Sequence, residues 1–77
     1  MDNTYEKYIT LTKNIKHFRQ IKKMTQEQLA EKADLSVSYI KQIESGLYKN
    51  VSFNVLVNIS EALEINLCDL VQERVLT

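Results

Sequence analysis

Four times along this chain an apolar residue stands directly before a small polar one, with a second apolar residue five positions after the first. Met24-Thr25 is followed by Leu29, Leu35-Ser36 by Ile40, Val51-Ser52 by Leu56, and Ile65-Asn66 by Leu70. A small polar N-cap accepts a backbone N–H of the first helical turn, and the apolar residue ahead of it packs on one inside that turn. Each trio therefore reads as a helix start, and Gln28, three residues after Thr25, completes a capping box. One such match arises readily by chance, whereas four at sensible spacing constrain the chain to a series of short helices. There is no proline, the only glycine is Gly46, and no stretch alternates apolar and polar residues for the length of a strand.

The expected architecture is all-α and compact, with five helices. The first begins between Thr4 and Leu11 and ends near Lys22, with Leu11, Ile15, Phe18 and Ile21 on one stripe. The second runs from Gln26 to Ala33 with Leu29, Ala30 and Ala33 inward, and the third from Val37 to about Ser45 with Ile40 and Ile43 inward. Gly46 follows at the left-handed position that commonly ends a helix. The fourth runs from Phe53 to Leu63 and the fifth from Leu67 to about Val75. No segment reads as a linker or repeat, so residues 1–77 form one domain, with 1–10 as an N-terminal arm or helix extension.

Seventy-seven residues suffice for one small core, and 44% hydrophobic with 26% charged residues fits a folded domain rather than a disordered one. A core of this size leaves little stability margin, so dimerisation is expected to add to it. No apolar run approaches the roughly 20 residues that span a bilayer. Met1 to Tyr8 carries Asp2 and Glu6 and lacks the apolar region of a signal peptide. A single cysteine, Cys68, forms no internal disulfide, and the expected compartment is a reducing cytoplasm, the protein being bacterial or phage-encoded. The net charge is zero but unevenly spread. Residues 1–24 hold six Lys/Arg against two Asp/Glu, and residues 51–77 hold one against four. The first third is suited to phosphate and the last to another protein, although an ordinary solvated surface has the same composition.

Only Asp34-Leu35-Ser36 separates the second and third helices. A link that short favours a crossing near 90–120°, the geometry of a helix-turn-helix. Ala30 permits close approach of the third helix, and Asp34 tolerates the left-handed turn position better than most residues. The stretch Thr25-Gln26-Glu27-Gln28-Leu29-Ala30, followed by Ile40 and by Ile43-Glu44-Ser45-Gly46, resembles the lambda-repressor-like helix-turn-helix family of phage Cro proteins and repressors. Ala62-Leu63-Glu64-Ile65-Asn66-Leu67 is similar to that family's link between its fourth and fifth helices, and the likeness covers roughly residues 11 to 71. Three departures stand out: Lys23, Asp34 and Glu64 occupy places where the family often has glycine. Local adjustments of those turns are expected.

In this geometry the start of the third helix enters the major groove. Val37, Ser38, Lys41 and Gln42 face outward there, with Ser45 further along. Lysine donates to guanine O6 and N7, glutamine pairs with adenine N6 and N7, serine does either, and valine meets a thymine methyl. The resemblance points to the same positions, and without it these residues are a plain solvated face. Gln26 opens the second helix, where free N–H groups suit an anion, and the family holds a phosphate with the matching glutamine. Tyr39, Lys49, Asn50 and Ser52 are further candidates for phosphate, with Tyr48 in the same loop. Arg19 and Glu44 occupy positions where the family often has an ion pair joining the first and third helices.

Leu67, Leu70, Val71 and Val75, with Leu76, give the fifth helix more apolar surface than docking needs, so it is the expected dimer seam. Tyr5 and Tyr8 are placed to cover it. Cys68 reads as a core or interface filler and His17 as a surface residue. No metal-ligand spacing, cofactor loop or nucleophile motif occurs, so neither an enzyme nor a cofactor is expected. The expected function is a homodimeric transcriptional regulator that binds double-stranded DNA at a pseudo-palindromic operator and blocks or contacts RNA polymerase. Two related roles fit the same residues: an antitoxin holding a toxin protein, and the controller of a restriction–modification operon. A protein-interaction module that does not bind DNA is the reading from a different class, and the neutral charge favours it.

Overall fold

The computed structural model describes residues 4–46 and 51–73, with side chains from Glu6 onward. Five helices follow in chain order: α1 (Thr4–Ile21), α2 (Gln26–Ala33), α3 (Val37–Glu44), α4 (Phe53–Leu63) and α5 (Leu67–Val71). Among the described residues there is no strand. All four expected N-caps, Thr25, Ser36, Ser52 and Asn66, occupy that position. Thr25 Oγ1 accepts the Gln28 N–H at 3.0 Å while Gln28 Oε1 accepts the Thr25 N–H at 2.9 Å, so the capping box closes. Ser36 and Ser52 accept the N–H groups of Tyr39 and Val55 in the same way. The apolar residues ahead of the caps, Met24, Leu35, Val51 and Ile65, are half-buried against the core.

Every helix contributes to one interior. Ile15 from α1, Leu29 from α2, Ile40 and Ile43 from α3, Ile59 and Leu63 from α4, and Leu70 from α5 are fully buried. Each such side chain contributes about 1.5–3 kcal/mol relative to exposure. α2 packs on both α3 and α4, while α1 lies along α5. Ala30 and Ala33, also buried, keep the α2 surface low so that its neighbours approach closely.

Three expectations need correction. The apolar stripe of α1 stops at the half-buried Phe18, because the helix ends at Ile21 and turns away, leaving Ile21 56% exposed. The turns at Lys23, Asp34 and Glu64 do not adjust: all three hold a left-handed backbone with φ 58°. Each closes its helix with the paired bonds of a Schellman motif. Met24 N–H reaches Arg19 O and Lys23 N–H reaches Gln20 O, both at 3.0 Å, and Leu35 and Ile65 make the equivalent five-residue bonds to Ala30 O at 2.9 Å and Ser60 O at 3.0 Å. The hydrogen bonds and the apolar residue that follows hold a conformation that side chains disfavour. Finally, α5 ends at Val71 and Gln72 is extended. The buried Asn14 holds this extended end: its Nδ2 donates to Leu70 O and to Gln72 O, both at 2.8 Å.

Candidate nucleic-acid interface

Asp34, in the left-handed region, ends α2, and Ser36 caps the next helix two residues later. α3 thereby pins Ile40 and Ile43 inside. The opposite face carries Ser38, Lys41, Gln42 and Ser45, all exposed. Their spacing of three, four and seven residues puts them on one stripe of the helix. Val37 is different: it is half-buried and packs against the core, so its methyls flank the stripe rather than crown it. Tyr39 is likewise half-buried against the core.

A hydrogen-bonded network fixes the inner end of α3. Arg19 Nε donates to Glu44 Oε2 at 2.7 Å and Arg19 Nη2 to Glu44 Oε1 at 3.0 Å, a bidentate pair with side chains 11% and 4% exposed. Arg19 Nη1 also donates to Met24 O at 2.8 Å, just before the Thr25 cap. One arginine thus ties the end of α1, the turn into α2 and the end of α3. Gln26 joins the same network, because its Nε2 donates to Glu44 Oε1 at 3.1 Å. The sequence pointed to Gln26 as a phosphate ligand, and here one of its amide hydrogens is directed to a carboxylate inside the protein.

Ser52 is exposed and accepts the Val55 N–H, which leaves its hydroxyl proton to be directed elsewhere. Lys49 and Asn50 lie outside the described residues, as does Val75. Of the residues expected at a dimer seam, Leu70 is fully buried in the core of its own chain and presents nothing to a partner. Its side chain is the only one α5 buries completely, and that burial docks the helix. Leu67 is half-buried on the core, while Val71 is 55% exposed. Val71 also lines an open cleft of about 490 Å³ in which the apolar Tyr8, Leu11, Val51 and Leu56 stand beside the charged Glu6, Lys7 and Glu73. Cys68 is exposed and so fills no core position. His17 stands edge-on to Phe18 with ring centroids 5.4 Å apart.

Asn14 and the bond from Gln26 to Glu44 escaped the sequence reading. A signal for Asn14 was present, since asparagine is a poor residue inside a helix and one flanked by a buried stripe needs a compensating bond.

The arrangement defines a class: a compact all-helical domain that displays the second helix of a helix-turn-helix. A family model described as helix-turn-helix matches residues 15–70, and the chain belongs to the lambda-repressor-like helix-turn-helix family. It is similar to the immunity repressor protein of Bacillus phage phi105, at 43% identity over 68 residues. That match takes in 88% of this chain and 46% of the phage protein, so the chain spans about half the length of that relative. Among solved structures it resembles the restriction-modification controller protein C.AhdI from Aeromonas hydrophila, with TM-score 0.78, 28% identity, and 82% of this chain and 94% of that one covered. The clp gene regulator ClgR from C. glutamicum aligns with TM-score 0.76 and 28% identity over 83% of this chain and 82% of that one. A hypothetical transcription factor from Neisseria shares the fold, with TM-score 0.85 at 22% identity over 95% of this chain and 83% of that one. No helix among the described residues is long and apolar enough to cross a membrane.

Proposed function

We propose that this chain is a sequence-specific regulator of transcription that binds double-stranded DNA as a homodimer on a pseudo-palindromic operator. The observation that carries the reading is the exposed stripe Ser38, Lys41 and Gln42 on a helix whose inner face is buried and whose end is held by the Arg19–Glu44 pair. In that role Lys41 reads guanine, Gln42 reads adenine, and Ser38 donates or accepts beside them. Val37 offers a thymine methyl an edge contact. Backbone N–H groups opening α2, with Tyr39 and Ser52 and the Lys49–Asn50 loop, hold phosphates and set the register. Partner copies meet along α5, through its exposed Val71 and half-buried Leu67. Control is by occupancy: the bound dimer excludes polymerase or presents a surface to it, without a cofactor.

Likeness to a phage immunity repressor favours repression. A second reading, the controller of a restriction–modification operon, is favoured by the match to 94% of C.AhdI at 28% identity. The test is selection of bound sites from random duplex DNA at two salt concentrations. Enrichment of inverted repeats with half-sites about 34 Å apart, lost steeply as salt rises, is the expected result. Failure to bind any duplex at low salt refutes it in favour of a protein-interaction module.

A further inference from the structure

We infer that Lys22 and Lys23, in the turn between α1 and α2, grip the sugar-phosphate strand that borders the groove entered by α3. The inference rests on the DNA-binding reading above and deepens it, since that reading assigns no cation to this turn. Both side chains are exposed, and neither makes an ion pair among the described residues. They belong to a basic surface: residues 1–24 hold six Lys/Arg against two Asp/Glu, and all six except Arg19 are exposed.

The place where the turn is held sets these two lysines apart from the rest. Arg19 Nη1 donates to Met24 O at 2.8 Å, and Arg19 Nε donates to Glu44 Oε2 at 2.7 Å. One guanidinium therefore fastens the turn to the last residue of α3. A helix lying in the major groove has a phosphate strand on either side, so a segment fastened to its end stands at a groove wall. A lysine there meets phosphate as a point charge on a flexible stem. Glu44 does not offset that charge, because its own is matched by Arg19. The other cations of α1 run back from this point. Lys13 lies eight residues before Ile21, the last of the helix. At about 1.5 Å per residue that is roughly 12 Å, longer than the screening length of about 10 Å at about 0.1 M salt.

Lys23 also gives a variant with two readouts of opposite sign. Its backbone is left-handed, with φ 58°, a conformation that glycine adopts without the strain a Cβ brings. Lys23→Gly removes both the strain and the cation. Affinity is measured by titration on the selected site and on a random duplex of equal length, across a salt series, alongside thermal unfolding. Lys23→Gly should unfold a few degrees above wild type. It should bind both duplexes about threefold to tenfold more weakly per protomer bound, with the slope of log affinity against log salt reduced by about 1 per protomer. Lys23→Gln, which keeps the strain, and Lys22→Gln should show the same loss of slope without the gain in stability. Lys13→Gln should leave slope and affinity as they are. A higher unfolding temperature with unchanged affinity and slope makes Lys23 a solvated turn residue and overturns the inference. An equal loss of slope in Lys13→Gln shows an effect of net charge rather than contact, and overturns it as well. So does a loss confined to the selected site, which belongs to base reading and not to a grip on the backbone. If the wild type binds no duplex, the DNA-binding reading fails first and the inference falls with it.

Discussion

In the α2–turn–α3 unit the bonds that set the geometry are local. Gln28 answers Thr25, Tyr39 answers Ser36, and Leu35 answers Ala30, each within five positions along the chain. Along the seam between α1 and α5 the deciding bonds join Asn14 to Leu70 and Gln72, 56 and 58 positions away. The first region is shaped by what short segments prefer by themselves. The second exists only once the chain has closed, and a single side chain holds the end of its last helix. The Arg19–Glu44 pair stands between the two, a bond across 25 positions that locks the local unit to the rest.

Breaking that lock should have the largest effect. Glu44→Ala leaves the Arg19 guanidinium in a nearly closed site with no carboxylate. The expected loss is about 3 kcal/mol of stability, read as a lower urea midpoint at unchanged slope. A loss below about 0.5 kcal/mol, the size of an ordinary surface change, would mean that the pair does not join the two regions. Asn14→Ala comes next. It strips the Leu70 carbonyl of its donor inside the protein, and about 2 kcal/mol should be lost. Amide exchange in α5 should rise while that of α2 holds. Equal protection changes in both helices would contradict the separation of the two regions.

The same contrast explains what could be read from the sequence. Caps, staples and the three-residue turn are written in neighbouring residues, so α2 and α4 were legible to the residue and α3 to within one. The outward stripe of α3 followed from periodicity once Ile40 and Ile43 faced inward. Position alone did not distinguish Val37, which sits where the stripe meets the core. Leu70 was misassigned because periodicity cannot tell an apolar residue that docks its helix from one that waits for a partner. The extent of α5 was misjudged for a related reason: Gln72 and Glu73 suit a helix well enough, and nothing nearby in sequence announces that Asn14 takes the carbonyls. Gln26 had one plausible task at a helix N-terminus, and its bond to Glu44 required knowing where α3 ends in space.

The exposed stripe should respond in binding and not in folding. Lys41→Ala is expected to cost about 1.5 kcal/mol, or tenfold, at the preferred operator and to relax choice at one base pair. Stability should stay within about 0.5 kcal/mol, since Lys41 is exposed and has no part in the network. Retention of both affinity and preference would remove Lys41 from the base readers, and a large stability loss would tie the stripe to the core.

The smallest effects lie at the left-handed turns, where the two regions can be compared most directly. Asp34 closes α2 inside the local unit and Glu64 closes α4 ahead of α5, with the same φ of 58° and the same pair of closing bonds. A left-handed backbone costs a residue with a Cβ about 1–2 kcal/mol, and glycine relieves that strain while losing about 0.5–1 kcal/mol to its greater freedom when unfolded. Glu64→Gly should therefore stabilise the protein by about 0.5–1 kcal/mol. Asp34→Gly should gain less, because a short polar side chain already tolerates this conformation by bonding locally. Thermal unfolding of the two single variants measures both, and because Asp34 and Glu64 line one cleft, their double substitution measures the coupling between them. If Asp34→Gly gained more than Glu64→Gly, the strain would sit in the turn of the helix-turn-helix itself, and that turn would be held from outside, as the α1–α5 seam is.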